Sequence, residues 1–300
     1  MKILFTFPGQ GGQRPGMLAM IPDREAILTQ ARAVLGDEVD TLDSADALQH
    51  TRAVQLCLLI AGVAWARELQ RQGVDPQMVS GLSIGAFPAA VIAGALDFAS
   101  ALRLVALRGD LMEQAYPEGY GLTAIMGLTR PRVEALMQGH EVYLANLNAE
   151  TQFVIAGRDE AMAEVAQLAL RAGASKAQRL AVSVPSHCAL LDKPAAELAK
   201  AFAGASLRRP RRAYLSGSTA RVLWDPQRIA DDLAMNMARP VHWQEAMVAA
   251  DERDARLAIE MPPGGVLTCL TRQAGWRGET IALERSGLDV ARHLAQRLSD

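Results

Sequence analysis

Apolar and polar positions fall in alternating blocks along the first hundred residues. Lys2–Phe7 places Ile3, Leu4, Phe5 and Phe7 in a short run stopped by Pro8-Gly9, the profile of a buried strand. Thr51–Gln72 is apolar on every helical face and meets Gly73, which predicts a helix buried all round. A second strand is expected over Gln77–Leu82, running straight into Ser83. A helix over Ile84–Ala95 follows, with Pro88 in its first turns. Asp97 is placed to cap a long helix reaching about Ala115. Strands alternating with helices predict an α/β protein whose sheet is mostly parallel and covered on both faces.

The pattern changes after the turn-rich Tyr116–Gly121. Strands are expected at Leu122–Leu128, Glu141–Leu147, Gln152–Ala156 and Ser175–Val182, with helices at Pro131–Gln138 and Asp159–Ala172. This β-α-β-β-α-β order is that of a ferredoxin-like module. From His187 the helix-rich pattern resumes. The domain division that follows is a large α/β unit from 1–120 and 182–300, interrupted by a small ferredoxin-like unit at 121–181.

Composition narrows the field. Lys plus Arg number 31 against 33 Asp plus Glu, a net charge of −2, so nothing draws the chain as a whole to nucleic acid or an anionic membrane. The apolar stretch Ala53–Ala66 is broken by Gln55 and falls short of the roughly twenty residues of a spanning helix. The opening MKILFTF is too short for a signal peptide. Cys57, Cys188 and Cys269 are scattered and odd in number, which fits a reducing, cytoplasmic setting without a zinc site.

Two loops carry candidate chemistry. Gly81-Leu82-Ser83-Ile84-Gly85 is a G-x-S-x-G between a predicted strand and a predicted helix, the setting in which a serine hydroxyl is thrust out of a sharp turn. Pro8-Gly9-Gln10-Gly11-Gly12-Gln13 follows the first strand. Arg14 stands where a dinucleotide fingerprint needs its third glycine and no P-loop sequence exists, which leaves either an oxyanion-facing amide loop or a plain turn.

Other residues keep two readings. His187, at the junction back into the large unit, is either a general base or a structural histidine, and Cys188 beside it is read as a packed thiol. His50, His140 and His293 are read as surface residues, and His242 as a helix cap or surface residue. Arg108 interrupts an apolar helix, and a buried guanidinium needs an anion; the bland reading is an internal salt bridge, to Asp110 or to a distant carboxylate. Arg208, Arg209, Arg211 and Arg212 around Pro210 form the one marked charge run, read as a solvated loop or as a surface steering an acidic partner.

Taken in order, FPGQGGQRPGM, GLSIGAFPAAV, ALRGDLM, LANLNAETQFVIAG, VPSHCALLDKPAAELA, ARPVHW and PPGGVLTCLTRQ resemble the malonyl-CoA:acyl-carrier-protein transacylase family over nearly the whole chain. The resemblance implies an α/β-hydrolase-like core with a ferredoxin-like insertion. It implies Ser83 as nucleophile, His187 as its base, and the backbone amides of Gln10 and Ile84 as oxyanion hole. Arg108 would hold the malonyl carboxylate, and a backbone carbonyl at His242, where the family commonly has Gln, would orient His187. It implies no metal and no organic cofactor. Its partners would be malonyl-CoA and an acyl-carrier protein, with neither nucleic acid nor membrane. Leu82 and Ala86 replace the His and Glu usual at the elbow of fatty-acid-synthesis members. With Leu42–Gly62, that makes the chain look most like the transacylase subunit of malonate decarboxylase, whose acceptor is that enzyme's carrier subunit. The alternatives are a fatty-acid-synthesis malonyl transacylase, a serine hydrolase of related core that would need His293, and a silent carrier-docking subunit.

Overall fold

The computed structural model describes residues 1–299. Among the described residues ten strands run in chain order: β1 Lys2–Phe7, β2 Met78–Gly81, β3 Tyr120–Met126, β4 Val142–Ala149, β5 Gln152–Arg158, β6 Lys176–Arg179, β7 Ala213–Leu215, β8 Val222–Leu223, β9 Ala255–Glu260 and β10 Glu279–Ala282. They form a six-stranded sheet, β10-β9-β1-β2-β7-β8, and a four-stranded sheet, β4-β5-β3-β6. Every pairing in the larger sheet is parallel except β7 with β8. All pairings in the smaller one are antiparallel.

The period-two geometry of a strand sends alternate side chains to opposite faces. Ile3, Phe5 and Phe7 of β1 enter a large core with the helix Thr51–Arg71, while Leu4 enters a second core with Trp243, Met247 and Leu270 from two other helices. Helices therefore cover both faces, as the block pattern predicts. The small sheet keeps its own core around Ile125, Phe153, Ile155, Met162 and Val165, and the elements contributing to it run β-α-β-β-α-β.

Most predicted elements appear within a residue or two of their expected ends. Asp97 caps the helix Phe98–Ala115 through a bond from Ser100 N–H. Two differ. The helix expected over Ile84–Ala95 is a 3-10 turn, Ser83–Gly85, followed by an α-helix, Ala86–Ala93, because the left-handed backbone of Ser83 (φ 57°) prevents a continuous start. The strand expected over Ser175–Val182 is only β6, because the chain beyond it curls around the Arg179 guanidinium, which donates to the carbonyls of Val182 and Tyr120, each at 2.8 Å. Among the described residues no helix is long and apolar enough to cross a membrane.

Candidate active site

Strands β1 and β2 are paired in parallel and end together at Phe7 and Gly81. Their carboxyl ends carry both candidate loops. The elbow is tight enough to need its two glycines. A Cβ on Gly81 would lie 2.0 Å from the Gly85 carbonyl carbon, and one on Gly85 would lie 2.1 Å from the Phe7 carbonyl oxygen. Between them Ser83 holds left-handed backbone, strain of a kind that persists where surrounding structure enforces it. The glycine-rich loop lies directly against this turn, since a Cβ on Gly9 would sit 3.8 Å from that of Ser83. Among the described residues the backbone amides of Gln10 and Ile84 have no hydrogen-bond acceptor. They stand on the two apposed loops, free to donate.

His187 reaches Ser83 from more than a hundred residues away, with Nε2 3.0 Å from Oγ. It too has a positive φ, 67°, and its own amide is pinned to the Met237 carbonyl at 2.6 Å. Its Nδ1 faces two backbone carbonyls, Asn236 at 2.8 Å and Arg239 at 3.2 Å. Carbonyls only accept, so the ring proton sits on Nδ1 and the Nε2 lone pair is turned to the serine hydroxyl. Burial, and then the charge of Arg108, push the imidazole down to about 4, so it is neutral at physiological pH.

The carbonyl expected at His242 is thus supplied by Asn236. The residue at 242 is occupied elsewhere: its carbonyl accepts the first bond of the helix Trp243–Glu252 from Ala246 N–H at 2.9 Å, and its ring pairs with Glu245 at 3.3 Å. The helix Pro226–Met235 ends in a 3-10 turn at Asn236–Ala238, and carbonyls at a helix end are free to accept from outside.

Arg108 is wholly buried and, among the described residues, has no carboxylate partner. Asp110, the bland candidate, pairs with Arg52 at 2.6 Å instead. Residues two apart on a helix point away from each other. The guanidinium is held by neutral groups: Nη1 donates to Gln55 Oε1 at 2.7 Å, and Nη2 to Asn236 Oδ1 at 2.9 Å and Ser83 Oγ at 3.2 Å. Its carbon lies 5.7 Å from the centre of the Phe87 ring. Its Nε has no partner among the described residues. Burial alone lowers its pKa to about 9, so it stays charged at neutral pH. A cation so placed, touching the serine hydroxyl and lacking a counter-ion, is suited to an anionic group arriving at Ser83.

Two site residues were not foreseen. Asn236 serves three groups at once, because its side chain also donates from Nδ2 to the Ser83 carbonyl at 3.2 Å. Gln55 had left a trace, as the one polar break in the apolar stretch Ala53–Ala66. The other singled-out residues lie elsewhere. Cys188 is buried, donates to the Pro185 carbonyl and has its thiol pushed up to about 11 by burial. His50 and His140 pair with Glu113 and Glu164, and His293 is exposed on the C-terminal helix.

A serine–histidine pair at the carboxyl ends of parallel strands, beside a buried arginine, is an arrangement suited to acyl transfer. Residues 4–286 match the acyl transferase domain model, and the chain belongs to that family. More narrowly, the chain is 37% identical over 285 residues to the malonyl CoA-acyl carrier protein transacylase of Escherichia coli, covering 91% of this chain and 92% of that protein. The Bacillus subtilis protein of the same name is 33% identical, covering 94% and 93%. Among solved structures, the malonyl CoA-acyl carrier protein transacylase of Coxiella burnetii superposes with a TM-score of 0.91 at 32% identity, over 100% of this chain and 98% of that one. A malonyl-transacylase solved in complex with its type II polyketide acyl-carrier protein gives 0.91 at 34% identity, over 98% and 99%.

Proposed function

We propose that this protein moves a malonyl group from malonyl-CoA to the thiol of an acyl-carrier protein through an ester on Ser83. The observation that carries this reading is the meeting of Ser83 Oγ with His187 Nε2 at 3.0 Å and with the carboxylate-free Arg108 at 3.2 Å. His187 takes the hydroxyl proton as Oγ attacks the thioester carbonyl. The amides of Gln10 and Ile84 receive the oxyanion, each worth roughly 3 kcal/mol in comparable sites. The thiolate of CoA leaves with the proton from His187. The carrier thiol then gives its proton to the same imidazole and attacks the malonyl-serine ester, which returns the hydroxyl. Arg108 holds the malonyl carboxylate throughout, and an acetyl group would leave that guanidinium unpaired. Intact-mass analysis after mixing with malonyl-CoA should show one added malonyl group, mapped to Ser83. A label on Cys188, or none, overturns the assignment.

For the acceptor, the similarity to stand-alone transacylases supports a carrier of the fatty-acid-synthesis type. The carrier subunit of malonate decarboxylase is a second reading, favoured by one specific observation. At the elbow Leu82 and Ala86 stand where His and Glu are usual, and Leu82 packs apolar surface against the second core. Transfer rates to the two carriers at equal concentration separate the readings. We read residues 1–120 and 182–300 as the α/β-hydrolase-like unit and 121–181 as its ferredoxin-like insertion. The protein is placed in the cytoplasm on the same reading.

A further inference from the structure

The arginine run lies far from Ser83. Arg212 directly precedes β7, whose first residue Ala213 pairs with Met78 at the start of β2, whereas Ser83 follows the end of β2. The helix Ala86–Ala93, about 12 Å long, spans the same interval. At its far end Arg67, Arg208, Arg209, Arg211 and Arg212 line a cavity of about 390 Å³ together with Asp97. Only Arg212 is neutralised, by two bonds to Asp75 at 2.6 and 3.3 Å. Among the described residues the side chains of Arg208, Arg209 and Arg211 have no partner, and no carboxylate lies within ion-pair distance of Arg67. Arg67 is half-buried against the Phe98 ring, 5.3 Å from its centre. Its burial and the nearby Arg71 lower its pKa, against an opposing pull from Asp23.

A solvated loop would let such side chains spread apart. Here the loop backbone is fixed, with Arg208 N–H donating to the Ala95 carbonyl at 2.9 Å and Arg211 N–H to Ala93 at 2.8 Å. The loop adds a bridge between Leu96 and Leu207. The backbone thus places the unpartnered Arg208, Arg209 and Arg211 beside Arg67 around one concavity, and among the described residues its one lining carboxylate is Asp97. This happens in a chain whose overall charge is −2. Planar guanidinium forks match phosphate oxygens in pairs, and the volume falls within the range of small-molecule sites.

We propose that this cavity binds the pyrophosphate group of a small phosphorylated ligand, at a site separate from the acyl-transfer centre. Concavity and a pinned backbone favour such a ligand over an acidic protein surface, which needs a broad exposed patch. The proposal stands whether or not Ser83 is acylated.

Calorimetric titration with inorganic pyrophosphate and with ADP tests it and separates free anion from nucleotide. One equivalent of at least one of them should bind, with affinity falling steeply as salt rises. The Arg209→Gln/Arg211→Gln double variant, which changes only exposed side chains, should bind at least tenfold more weakly while keeping the wild-type melting temperature and rate of Ser83 malonylation. Arg108→Gln should bind whichever of the ligands the wild type binds, with unchanged affinity. The proposal is overturned if neither ligand binds at millimolar concentration, if the double variant binds equally well, or if Arg108→Gln abolishes binding. It is also overturned if the double variant loses only an acidic carrier protein, since the cavity is then a docking surface.

Discussion

The charge of Arg108 is available to substrate only because the groups holding it are neutral, and Gln55→Glu reverses that with almost no change of shape. Gln55 and Arg108 are both fully buried, and the bond between them is 2.7 Å long. A carboxylate at that position puts a full negative charge about 4 Å from the guanidinium centre, worth ~4 kcal/mol at an effective dielectric of 20. The guanidinium keeps the new carboxylate ionised, so an incoming malonyl group meets a neutralised pair and a like charge. Losing half to all of that coupling costs malonyl-CoA ~2–4 kcal/mol, or about 30- to 1000-fold in kcat/KM for acylation. Acetyl-CoA brings no carboxylate, so its rate constant should change far less. The assay is single-turnover acylation of Ser83 followed by quenched mass spectrometry with each thioester, alongside a thermal melt to establish folding. Gln55→Leu serves as control. It leaves Arg108 Nη1 without an acceptor, at a stability cost of about 1–3 kcal/mol, but adds no charge, so malonyl preference should survive. A folded Gln55→Glu protein with an unchanged malonyl-to-acetyl ratio would refute the reasoning.

Three further outcomes are expected. Arg108→Ala should lower the malonyl-to-acetyl ratio more than it lowers acetyl transfer, and an unchanged ratio returns Arg108 to a purely structural role. His187→Ala should slow acylation and deacylation together, by about 10²–10⁴-fold each, because one imidazole serves both; a loss confined to the second step means another group activates Ser83. For malonyl-CoA and acetyl-CoA alike, kcat/KM should fall below about pH 4, where His187 gains the proton that stops it acting as a base. A lower limb near the ordinary imidazole value of about 6.5 contradicts the effect of burial on His187.

The parts of the site that rest on local geometry were legible in the sequence. Gly81 and Gly85 flank Ser83 at a strand–helix junction, and only residues without a Cβ fit where they stand. The partner of His187 was not legible in the same way, because a backbone carbonyl has no side-chain signature. What decides it is where the helix Pro226–Met235 frays, and that selects Asn236 over His242, six positions later. Arg108 illustrates a third case. Its burial could be inferred from its apolar neighbours, but nearness in sequence pointed to Asp110, which turns to Arg52. Its true partners, Gln55 and Asn236, come from helices remote in the chain and meet it only through packing. The curl around Arg179 that shortens β6 is likewise a long-range event.

Ser83 and His187 share left-handed backbone that glycine adopts freely and other residues adopt at roughly 1–2 kcal/mol each. Replacing Ser83 with glycine should therefore relieve strain while removing the hydroxyl. Selection for a tougher fold and selection for acyl transfer pull in opposite directions at this position. A gene copy released from its task can gain durability by discarding its nucleophile, so an inert descendant of this protein is expected to outlast its active parent in the cell.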